Sequence, residues 1–98
     1  MIEHVVLFKF SEETTVEQKE EGMRRLIKVK DKIPGIVDIQ AGNNFSDRSQ
    51  GFESGLTVRF ESKEALESYG PHPAHQDVVA YLKEIGMSDV LALDFECL

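Results

Sequence analysis

Nine residues near the start of the chain, Ile2-Glu3-His4-Val5-Val6-Leu7-Phe8-Lys9-Phe10, restrict the possible folds more than any other stretch. Branched and aromatic side chains dominate, so the segment reads as a β-strand. Alternation puts Ile2, His4, Val6, Phe8 and Phe10 on one face and Glu3, Val5, Leu7 and Lys9 on the other. A strand with one wet face alternates cleanly between apolar and polar residues. Here the first face is almost wholly apolar and the second is apolar at its centre. Both faces are therefore expected to be covered.

The remainder of the chain supplies the cover. Thr15 with Gln18, or Thr14 with Glu17, matches a capping box, and a helix follows to about Ile33. Its loose apolar stripe is Val16, Met23, Leu26, Ile27 and Ile33, Gly22 is a local weakness in it, and Pro34-Gly35 stops it. Ile36 to Asn43 reads as a second strand, with Val37, Ile39 and Ala41 alternating against Asp38 and Gln40. After a polar loop, Ser54 to Phe60 is a third strand and Val90 to Phe95 a fourth. Between those two lie short helices over Ser62–Tyr69 and Pro73 to about Ile85, the second closed by Gly86.

The order is β-α-β-β-α-β with its second helix broken at Gly70-Pro71. That is an α+β, ferredoxin-like arrangement with a four-stranded antiparallel sheet. Helices cover one face of such a sheet. The even-numbered face of the first strand is expected to be left over and to pack against a second copy, sheet on sheet about a two-fold axis. The expected assembly is a homodimer.

Ninety-eight residues make one domain, spanning residues 1–98. Eleven basic against eighteen acidic residues give −7, which argues against nucleic acid or an anionic membrane surface as partner. No apolar run approaches the ~20 residues of a membrane span. The chain enters its first strand with no basic leader or cleavage site. Cys97 stands alone, so no internal disulfide forms, and the cytoplasm is the expected compartment.

Chemistry-bearing residues gather in Tyr69-Gly70-Pro71-His72-Pro73-Ala74-His75. Tyr69 belongs to the buried face of the first short helix, with Ala65 and Leu66. His75 begins the stripe Val78, Val79 and Leu82 of the next. Both side chains are expected to converge on one apolar cavity walled by Val6, Phe8, Val79 and Leu82, with His4 projecting toward it from the strand. Near a helix N-terminus an imidazole tends to stay neutral, the state a general base requires. Tyr69 could then steady a developing enolate oxygen. The alternative is that both are satisfied polar groups fixing the helix break. His72 is placed at the cavity and, sitting just before Pro73, also at the helix cap. Three histidines without Cys or paired carboxylates at ligand spacing make no transition-metal site. No cofactor is called for.

His4-Val5-Val6-Leu7-Phe8-Lys9-Phe10, Gly51, Phe60-Glu61-Ser62, Tyr69, His72-Pro73-Ala74-His75 and Leu93-Asp94-Phe95 occur in one order. Together they resemble the stress-responsive dimeric α/β-barrel (Dabb) domain family across the whole chain. The resemblance implies ferredoxin-like protomers paired through their sheets into a barrel. It implies either a small homodimeric stress-responsive protein holding an apolar or carbonyl ligand, or a cofactor-free lyase or cyclase. The latter follows from the olivetolic acid cyclase-like branch, whose acting Tyr and His match Tyr69 and His75, with a pocket His matching His4. Ser54 stands where that branch has another pocket His. Some members hold a cation on backbone carbonyls at positions matching Lys30, Ile33 and Ile36, where the charges of Lys28, Lys30 and Lys32 oppose one.

Overall fold

The computed structural model describes residues 1–98. Its elements run β1 (Ile2–Phe10), α1 (Val16–Lys28), a 3-10 turn (Val29–Asp31), β2 (Ile36–Asn43), β3 (Ser54–Phe60), α2 (Lys63–Tyr69), α3 (Pro73–Glu84) and β4 (Met87–Glu96). The strands form one antiparallel sheet in the order β2-β3-β1-β4, the ferredoxin-like order with β1 in the interior. No helix is long and apolar enough to cross a membrane.

Thr15 and Gln18 form the capping box that opens α1. Thr14 is used elsewhere: buried, it donates its hydroxyl to the Ile85 carbonyl and ties the start of α1 to the end of α3. The helix ends five residues before the expected Ile33. It tightens at Val29 into a 3-10 turn, which lets Val29 and Ile33 both turn inward and bury. β4 begins at Met87 rather than Val90, because pairing with Phe10 and Lys9 extends it past its apolar run. Alternation puts Val37 on one face with Ile39 and Ala41, but a register shift between Ile36 and Asp38 turns it outward, and Ile36, Ile39 and Ala41 face the core.

Gly22 is less a weakness than a contact point. A Cβ added there would lie 2.6 Å from Leu82 Cδ2, so its absence is what lets α1 meet α3 this closely. Gly86, at φ +114, supplies the left-handed residue that turns α3 into β4.

One expectation is reversed. The helices cover the even-numbered face of β1: Ile2, Val6, Phe8 and Phe10 are buried beneath them with Leu26, Tyr69, Val78 and Leu82. The uncovered face is the odd-numbered one. Cross-strand register lines up Val5 with Leu93 and Leu7 with Leu91, and Phe95 stands opposite Glu3. Leu91, Leu93 and Phe95 are exposed there. Toward the other edge the same face turns polar, through Thr57 and Gln40. Periodicity distinguished the two faces of β1 but not which one the helices would claim.

Candidate functional site

The break between α2 and α3 is made by local chemistry. Ser62 Oγ accepts from the Ala65 amide at 3.2 Å and starts α2. The expected turn at Gly70 does not use glycine's freedom, since Gly70 keeps right-handed helical angles of −53° and −53°. The chain leaves the helix at His72, whose extended backbone (φ −61°, ψ 133°) is what a residue preceding proline adopts. Pro73 then occupies the first position of α3, where its missing N–H is no loss. His72 Nδ1 accepts from the Ala74 amide at 3.0 Å, so its ring caps α3. His72 is therefore not a lining residue of the cavity, contrary to the sequence expectation, because capping takes its ring to the helix end.

Across this break Tyr69 and His75 meet, with ring centroids 4.3 Å apart. Tyr69 also packs edge-on against Phe60 at 5.1 Å and His4 at 5.9 Å. These three polar side chains share a cavity of about 250 Å³ between the sheet and the helices. Val6, Phe8, Val79 and Leu82 wall it, together with Leu26, Leu56, Met87, Val90 and Ala92, which the sequence does not assign to the cavity. The cavity lies under the helices within one protomer, on the opposite side of the sheet from the open face.

The electrostatics follow from burial. His75 Nδ1 lies 2.9 Å from the Gly70 carbonyl oxygen, which can only accept. Nδ1 therefore carries the proton, and Nε2 is left with a free lone pair. Desolvation lowers the His75 pKa below its ordinary 6.5, the Gly70 hydrogen bond opposes this, and the nearby His4 and His72 add to the lowering. Burial pushes the Tyr69 phenol up to about 12. Its hydroxyl is buried and has no hydrogen-bond partner in the protein. A neutral base thus sits beside a neutral phenol with an unused donor.

A fourth polar residue belongs to the arrangement. Asp94 on β4 faces His4 across the β1–β4 pairing and binds His4 Nδ1 through its carboxylate. Alternation already set Asp94 against Leu93 and Phe95. Its meeting with His4 depends on a register between strands 90 residues apart, which no local pattern carries. Ser54 is fully buried with an unpartnered hydroxyl and lies outside the cavity lining. Lys30, Ile33 and Ile36 flank the passage from the 3-10 turn into β2. No three or more His, Cys, Asp or Glu side chains are placed so that they could together hold a metal ion.

A model of the stress responsive A/B barrel domain (Dabb) matches residues 2–97. Olivetolic acid cyclase of Cannabis sativa is 32% identical over 76 residues, 76% of this chain and 75% of the relative. Among solved structures, the Arabidopsis thaliana protein At3g17210 superposes with a TM-score of 0.88 at 26% identity, over 100% of this chain and 96% of that one. A dimeric ferredoxin-like protein of unknown function from Jannaschia superposes with a TM-score of 0.81 at 26% identity, over 98% of each chain.

Proposed function

The chain belongs to the stress responsive A/B barrel domain family, and from that premise we propose that it acts as a homodimer in which each protomer holds a small, mostly apolar carbonyl compound. The dimer reading is supported by the exposed Leu91, Leu93 and Phe95 beside Val5 and Leu7, and by similarity to a protein that is dimeric. The observation that carries the ligand reading is the Tyr69 hydroxyl. A buried hydroxyl without a partner is unfavourable by about 1–3 kcal/mol, and a ligand carbonyl oxygen would relieve it. Apolar walls around few polar groups suit such a ligand.

The juxtaposition of Tyr69 and His75 favours a second, finer reading: cofactor-free lyase or cyclase chemistry. Neutral His75 would take the acidic proton beside the carbonyl at Nε2. The electron pair would move onto the oxygen, held by the Tyr69 O–H. Olivetolic acid cyclase, the relative at 32% identity, has a name consistent with it.

Benzoylacetone, an apolar diketone with a strong enol absorption, tests both readings. Binding should shift that absorption in the wild type and weaken about three- to tenfold in Tyr69→Phe, the loss of one hydrogen bond. Exchange of deuterium from the carbon between its carbonyls should exceed the buffer rate and fall ~10²–10⁴-fold in His75→Ala. Binding without accelerated exchange would leave a ligand-holding protein and remove the enzyme. No binding would remove both.

A further inference from the structure

We infer that Asp94 is a positioning residue that sets His4 as a hydrogen-bond acceptor for a ligand hydroxyl, so that the cavity selects hydroxylated carbonyl compounds over plain ketones. The inference rests on the reading of the cavity as a carbonyl-binding site. It begins with two pinned imidazoles. The Asp94 carboxylate can only accept, so the proton of neutral His4 sits on Nδ1, just as the Gly70 carbonyl places that of His75. An unrestrained imidazole has both tautomers open to it. Here each ring keeps Nε2 as its one remaining nitrogen, an acceptor with no partner in the protein.

The polar inventory of the cavity is thus two acceptors and the Tyr69 hydroxyl, in walls that are otherwise apolar. A plain ketone offers an oxygen to Tyr69 and nothing to the histidines. One acceptor is accounted for if His75 faces an acidic C–H. The His4 acceptor remains, and only an O–H or N–H on the ligand satisfies it. His4 is largely buried, with a side-chain exposure of 14%, whereas Asp94 is exposed at 46%. Asp94 therefore holds the ring from the solvent side and leaves the cavity side of the imidazole free. Sites built to bind a hydroxyl discriminate strongly against analogues lacking it, because their own polar groups are then stranded.

The test compares acetophenone with meta- and para-hydroxyacetophenone by titration calorimetry, on wild type, Asp94→Leu and Asp94→Asn. Wild type should bind the better-fitting hydroxylated probe about tenfold more tightly than acetophenone. Asp94→Leu should erase that ratio, and Asp94→Asn should restore it, since its amide oxygen can accept the same bond. A purely structural Asp94 would alter the melting temperature and leave the ratio unmoved, which would overturn the inference, as would equal wild-type affinities. Ring-nitrogen NMR gives an answer independent of any ligand. His4 should be protonated on Nδ1 in neutral wild-type protein and shift toward Nε2 in Asp94→Leu, with His75 unchanged. Wild-type His4 protonated on Nε2 would sink the inference. If no acetophenone binds while the tautomer is as stated, the carbonyl-site reading fails and the positioning by Asp94 stands.

Discussion

The two faces of the sheet are built from the same strand by opposite means. On the covered face, Ile2, Val6, Phe8 and Phe10 meet helices, and the apolar surface is interrupted by His4, Tyr69 and His75 at the cavity and by Ser54 outside it. On the open face, Val5, Leu7, Leu91, Leu93 and Phe95 form an uninterrupted apolar strip that fades into Thr57 and Gln40. Polar groups facing a buried cavity are candidate ligand contacts; an apolar strip on a surface is a candidate partner face. Hydrophobicity by itself would rank the two faces alike. What separates them is that the covered face carries buried polar interruptions and the open strip carries none.

Paired aspartates break this comparison most sharply. Val6→Asp puts a carboxylate under the helices, which should remove several kcal/mol from a total stability of about 5–15 kcal/mol and abolish cooperative folding in circular dichroism. Leu93→Asp, on the open face, should leave the fold intact and shift sedimentation at micromolar concentration to the 11.1 kDa monomer. A folded Val6→Asp monomer would mean the faces have been assigned the wrong way round.

A smaller effect tests the polar interruption itself. Tyr69→Phe removes a buried hydroxyl that bonds to nothing in the protein, so it should leave stability unchanged or raise it by about 1 kcal/mol in denaturant titration. A clear loss of stability would mean that the hydroxyl has a structural partner and that the cavity is not held open for a ligand.

The smallest effect is on pH dependence. The folded His75 binds its proton less readily than the unfolded residue does, so on acidification the unfolded state takes up more protons. Stability linked to His75 is therefore fully present well above the ordinary histidine range, and it is lost as pH falls through about 6.5 and below. Melting temperatures of wild type should drop between about pH 7 and pH 5 by more than those of His75→Gln. Equal slopes would show that the ring is not desolvated.

Local sequence carried much of this architecture. The β1 alternation, the Thr15–Gln18 box, the Ser62 cap and Pro73 each act within a few residues, and each of those elements begins where its pattern put it. Tyr69 and His75 were legible as neighbours for the same reason, being six residues apart across a proline break. Three features were not. The face chosen by the helices depends on how whole elements dock. The outward turn of Val37 depends on a bulge against β3, and the His4–Asp94 bond on the pairing of the two ends of the chain. His72 had two available roles, and the geometry of an N-cap settled its place.

The contact between Gly22 and Leu82 carries a consequence for what the cavity can hold. Leu82 is a shared wall, touching α1 on one side and lining the cavity on the other. Residue 22 never meets a ligand, yet any side chain there must displace Leu82, and cavity space lies on its other side. If the cavity holds a ligand as proposed above, the room available to it would thus be set in part from position 22, one residue behind the lining.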